Sequence, residues 1–280
     1  MKNPILALGV ASALVLSACG GGGGGSGTAT TTPPVSTLST ITAVNSNKVA
    51  GNAYAATASI NESTSLTDIL TGVSMGPANI STVSPVLNLV KRAYGQGAPQ
   101  LLTGVTITEA CSGGGTVTID ANLRNSQSLS NGDTMTMTAN NCVEDGDLLK
   151  GAMTITFSGV TGDILNTFSG AATLDTRFTG FSVTSGSDTI GVNGDMKIAM
   201  TVTSPTSNSV TISGTSLQTT EQKAGATVAT RTLTDYSLTG STNGATVTSA
   251  ANFGLSGNAG SLGQFAFTVK NLKPFVTVGS

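Results

Sequence analysis

From Val105 onward, apolar side chains fall on every second residue. Val105 and Ile107, Val117 and Ile119, Met135 and Met137, then Met153, Ile155 and Phe157 each occupy one face of an extended chain. The same rhythm returns at Met196, Ile198, Met200 and Val202, and at Phe265, Phe267 and Val269, with Thr or Ser mostly in between. A period of two is the signature of half-buried strands. Turn signals punctuate these runs: Ser112-Gly113-Gly114-Gly115, Asn131-Gly132, Asp145-Gly146, Asn193-Gly194 and Asn243-Gly244. Together they predict about ten antiparallel strands. An echo of apolar, polar, polar, apolar residues at Phe178-Thr179-Gly180-Phe181, Leu233-Thr234-Asp235-Tyr236 and Val269-Lys270-Asn271-Leu272 reads as repeated hairpins of one meander.

A one-sided apolar sheet of that size has to curl, pair with a second sheet or be covered by helices. The fold class expected is therefore all-β: an antiparallel meander forming a curved sheet, a sandwich or a partly closed barrel, with one or two short N-terminal helices. The helical segment is expected over about 63–95. There Ser84-Pro85 supplies a cap followed by proline at the first helical position, Val83, Val86, Leu87, Val90 and Tyr94 fall on one stripe, and Gly95 ends it. A second short helix is expected around Leu66–Leu70.

The first 18 residues have a different pattern. Lys2 precedes an apolar run from Ile5 to Leu16, too short for the roughly 20 residues that cross a bilayer. Small residues and Cys19 follow, then six glycines. The order Leu16-Ser17-Ala18-Cys19 after such a run resembles the lipobox of bacterial lipoproteins. The resemblance implies cleavage before Cys19, acylation of its sulfur and amine, and a hold on a membrane through several acyl chains. Gly20, where an Asp would favour retention at the inner membrane, implies transport to the outer membrane, facing either the periplasm or the exterior. The expected organisation is thus a signal peptide at 1–18, a lipidated cysteine and flexible Gly/Thr/Pro linker at 19–40, and one β-rich domain at 41–280.

Composition narrows the partners. The chain has 280 residues, 12 Lys and Arg against 14 Asp and Glu, only 9% charged residues and no Trp. Basic residues are scattered singly apart from Lys91-Arg92, so the basic stripe with stacking aromatics of a nucleic-acid binder is missing. Nucleic acid is not an expected partner. A transmembrane barrel is disfavoured too, since aromatic girdles are missing and the apolar faces are interrupted by Gly and Thr.

Catalytic chemistry is equally constrained. There is no histidine, so no serine–histidine triad can be built and the commonest zinc ligand is absent. Carboxylates alone can hydrolyse glycosides, and Asp120, Asp175, Asp195 and Asp235 lie in or near strands. The simpler reading is isolated charges on solvent faces and turns. Glu144, Asp145 and Asp147 could gather calcium, yet the ligand order of an EF-hand is lacking, and an acidic hairpin tip accounts for them. No catalytic residue, cofactor site or metal site is assigned.

Cys111 and Cys142 remain after Cys19. In an oxidising compartment they are natural disulfide partners, closing a loop of about 31 residues with roughly 3.7 kcal/mol of stabilisation in the chain-entropy model. The block from Cys111-Ser112-Gly113-Gly114-Gly115 to Asn141-Cys142-Val143-Glu144-Asp145-Gly146 is similar to a pattern in uncharacterised proteobacterial lipoproteins, which implies a compartment and no reaction. The functional expectation is a non-enzymatic, lipid-anchored envelope protein that binds an apolar ligand or another envelope component. Met135, Met137, Met153, Met196 and Met200 on inner faces motivate the ligand version, because flexible thioethers line adaptable pockets. The alternatives are a structural or adhesive surface domain and, third, a carboxylate-only hydrolase.

Overall fold

The computed structural model describes residues 38–61, 104–125, 128–144, 146–163, 169–204 and 206–278. The expected helices at 63–95 and around Leu66 lie outside them, as does Cys19.

Alternation translates directly into strands. They are β1 (Val105–Ala110), β2 (Thr116–Asn122), β3 (Thr134–Glu144), β4 (Asp147–Asp163), β5 (Ser169–Ser185) and β6 (Asp188–Ser204), then β7 (Ser207–Lys223), β8 (Ala226–Asn243), β9 (Thr246–Ala259), β10 (Gly263–Lys270) and β11 (Phe275–Val278). All pairings are antiparallel and run in chain order from β1 to β10, with β11 pairing β9 beyond the end of β10. No hydrogen-bonded ladder joins β1 to β10, so among the alternatives the sequence left open the sheet is open rather than a closed barrel. The sheet therefore holds eleven described strands and is ten wide, because β10 and β11 share the edge beside β9.

One face of this sheet is apolar except for the hydroxyls of Thr176 and Thr219. Ile119, Met135, Ile155, Leu174, Ile198, Ile212, Leu238, Leu255 and Phe267 come from nine successive strands and belong to one buried cluster. Burying that face requires the sheet to curl, which bulges promote by inserting an extra residue and raising the local twist. Pairing shifts between Ala139 and Cys142 on β3, Phe178 and Phe181 on β5, and Thr234 and Ser237 on β8. At each, two apolar residues three apart, Ala139 with Cys142, Phe178 with Phe181 and Leu233 with Tyr236, are both buried. A residue in the left-handed region sits between them: Asn141 (φ 49°), Gly180 (φ 55°) and Asp235 (φ 45°). The echo in the sequence thus marks bulges, not hairpins; its third copy ends β10, where Val269 is buried and Leu272 exposed.

Asn193-Gly194 needs the same correction. It lies in the middle of β6, where Asn193 Oδ1 accepts the Gly180 N–H at 2.6 Å. Gly194 (φ 119°) leaves room for the neighbouring strand, since a Cβ there would stand 2.1 Å from the Ser216 carbonyl oxygen. The other turn signals fall between strands.

Among the described residues, one helix precedes the sheet. α1 (Ser46–Asn61) places Val49 and Ala53, four residues apart, into the core. Its start is held by Asn45, whose carbonyl takes the Val49 N–H at 2.9 Å and whose side chain takes the Thr42 N–H at 2.7 Å. Arg231 on β8 donates to Asn52 Oδ1 at 3.3 Å while pairing with Glu221 at 3.1 Å, which ties α1 to the sheet. Ser39, which composition assigned to the linker, bonds both main-chain groups of Ala266 on β10 at 2.8 and 3.1 Å and so covers part of that open edge.

Candidate functional site

The outer face alternates with the apolar one and is built from Thr, Ser and a few charges. Pairing across β4 to β7 brings Thr156, Asp175, Lys197 and Ser213 into one row, and the next row holds Thr154, Arg177 and Asp195. Between these rows and the bulged stretch of β6 and β7 lies an open depression of about 780 Å³. It occurs where regular pairing of β6 with β7 lapses between Gly194 and Lys197.

Asp195 organises its floor. Its carboxylate takes the Thr215 N–H at 2.8 Å, the Thr215 hydroxyl at 2.9 Å and the Ser216 N–H at 3.1 Å, satisfying donors that the lapse leaves without ladder partners. Burial pushes the carboxyl upward, but these hydrogen bonds outweigh it and hold Asp195 below its ordinary value of 3.8. Beneath it, Tyr236 lies across Gly214, its pairing partner on β7, and donates its hydroxyl to the Asp195 carbonyl at 2.6 Å. A Cβ at Gly214 would meet that hydroxyl at 2.6 Å, so only glycine lets the ring cross. Burial, and secondarily the charge of Asp195, raise the phenol well above its usual 10.0.

The other charges differ in their commitments. Lys197 pairs with Asp175 at 3.1 Å, and Ser158 donates to the far oxygen of Asp175 at 3.5 Å. Thr154 shares a hydrogen bond of 3.1 Å with Thr136. The Arg177 side chain is exposed and makes no hydrogen bond or ion pair among the described residues.

Of the four carboxylates singled out in the sequence, the fold brings Asp175 and Asp195 to the depression. Asp120 stands on the outer face of β2 and accepts the Thr106 hydroxyl, while Asp235 is exposed at the β8 bulge. Hydrolysis by paired carboxyls calls for one acid with a raised pKa; the shift at Asp195 has the opposite sign.

Cys111 and Cys142 form a disulfide with Cα atoms 5.4 Å apart. It fastens the glycine turn after β1 to the β3 bulge, where Gly113 donates to Val143 and Val143 to Gly114, both at 2.9 Å. Gly115 (φ 74°) has to be glycine, because a Cβ would fall 1.8 Å from the Asn141 carbonyl oxygen. Glu144 approaches the two sulfurs, yet its Oε2 accepts the Ser112 N–H at 3.1 Å and disulfide sulfurs are not thiolate ligands. Asp145 lies outside the described residues, and Glu144 pairs with Asp147 across the hairpin.

The five methionines sit at 0 to 5% exposure within the single apolar cluster, Met137 directly paired with Met153. They pack the core. Sequence reasoning missed Arg177, Lys197, Thr156, Ser213 and Tyr236 as companions of the two carboxylates. The signal that would have joined them is a recurrence about once per strand, every 16 to 23 residues along the meander, which becomes readable once the true hairpin tips are known. Compared with protein-family models, with curated proteins and with solved structures, the chain matches none.

Proposed function

We propose that this is a non-catalytic envelope protein, held to the bacterial outer membrane by acyl chains on Cys19, that engages another envelope component through the depression on the outer face of its sheet. The observation carrying this reading is the division of the sheet. Apolar side chains, methionines included, are consumed in packing the inner face, whereas the outer face offers an open concavity lined by hydroxyls and charges. The methionines therefore no longer argue for an apolar ligand, and a polar partner fits the exposed chemistry. The anchor is supported by Leu16-Ser17-Ala18-Cys19 after the short apolar run, and the disulfide accords with an exported chain.

Two measurements in cells test the two halves. A fatty-acid probe should label the wild-type protein and leave Cys19→Ala unlabelled; an unlabelled wild type removes the anchor. A photo-crosslinking residue at Thr156 should trap a discrete envelope component, and one at Lys270, on a strand far along the sheet, should not. Equal trapping at both positions, or none at Thr156, refutes the depression as the binding surface.

A further inference from the structure

Resting on the reading of the depression as a binding surface, we propose that its ligand is a carboxylate-bearing oligosaccharide, with the Arg177 guanidinium receiving the carboxylate. Three of the four charges at the depression are already spoken for. Asp195 is occupied by three donors from β7, and Lys197 and Asp175 neutralise one another at 3.1 Å. Arg177 alone among these four is uncommitted within the described residues. Its planar fork of N–H groups matches the two oxygens of a carboxylate.

The rest of the lining decides what else the ligand carries. Two cations and two carboxylates cancel, so a dianionic phosphate would meet Asp175 and Asp195 with one cation left to receive it. A monoanion adds one surplus negative charge where a dianion adds two, so Arg177 receives it at the smaller electrostatic cost. Around it stand hydroxyls of Thr154, Thr156 and Ser213, groups that donate and accept equally and so suit a ligand made of hydroxyls. The row from Thr156 through Asp175 and Lys197 to Ser213 crosses four adjacent strands about 4.8 Å apart and so spans roughly 14 Å. An extended chain of sugar rings fits a site of that length that is open to solvent.

The test titrates the full chain, held in detergent, with oligogalacturonate by calorimetry, and compares it with the same oligomer whose carboxyls have been reduced to alcohols. Binding of the acid is expected, with a loss of about tenfold or more in Arg177→Gln, the effect of removing a charged hydrogen bond. Lys270→Gln should bind as wild type does, and the neutral oligomer should bind about tenfold or more weakly. Because Arg177 is exposed, an unchanged melting temperature verifies that the variant folds. Failure of the acid to bind, equal binding by Arg177→Gln, or equal binding of the neutral oligomer each overturns the proposal. A crosslink from Thr156 that persists in cells after any of these outcomes would leave the depression as the binding surface and reject only the ligand class.

Discussion

The inner and outer faces of this sheet are made by the same strands yet obey different rules. Inside, every position from Ile119 to Phe267 is constrained by neighbours across several strands, and exposure falls to 0% at Met135, Met153, Ile155 and Phe157. Outside, side chains meet water and a few cross-strand partners, such as Thr108 with Thr118 and Thr184 with Thr189, at 3.1 and 2.8 Å. Such pairs contribute only tenths of a kcal/mol up to about 1. Stability is therefore concentrated on one face, which leaves the other at liberty to carry recognition.

The sharpest way to break that comparison is to truncate matched neighbours. Phe157→Ala on the inner face should cost about 3 to 5 kcal/mol, whereas Thr156→Ala beside it should stay within about 0.5 kcal/mol. Urea midpoints measure both. A comparable loss at Thr156 would mean that the outer face also carries structural weight.

Tyr236 is where the faces communicate, so Tyr236→Phe is predicted to cost about 1 to 2 kcal/mol through the orphaned Asp195 carbonyl. Its pH signature is distinctive. A phenol whose folded pKa is raised stabilises fully below its ordinary 10.0 and loses that contribution as pH climbs towards the folded value. Asp195, with its pKa depressed, contributes above 3.8 and loses it as pH falls below. Melting temperatures of the wild type should thus decline at both extremes, and Tyr236→Phe should lack the alkaline component. An alkaline decline identical in the variant would detach Tyr236 from that role.

The smallest expected effect has the opposite sign. Thr176 places a hydroxyl on the apolar face, paired with Met196 on the neighbouring strand, and its oxygen has no partner among the described residues. Thr176→Val keeps the shape and removes the unsatisfied group, so it should raise stability by about 1 kcal/mol. A loss in thermal melting would show that the inner face uses that hydroxyl.

These faces also explain what could be read from the sequence. Alternation at Met153, Ile155 and Phe157 is a local property, so the strands and the apolar face were legible. Asn193-Gly194 was misread because a glycine admitting positive φ serves a bulge as readily as a turn, and only the partner strand decides which. α1 escaped notice because, of its described side chains, only Val49 and Ala53 reach the core; alanine-rich helices carry strong propensity with a faint apolar stripe. The depression was hidden for another reason. Thr156, Arg177, Asp195 and Ser213 lie on four strands, and an error of one residue in register would turn any of them to the other face.

The seam between the N-terminal segment and the last strands has a kinetic consequence. From β1 to β10 each strand pairs with the next one in the chain, but Asn52 meets Arg231 over a separation of 179 residues and Ser39 meets Ala266 over 227. Closing such spans is slow relative to zipping adjacent hairpins. The portion of the chain synthesised first thus has to wait for the portion synthesised last before it can dock.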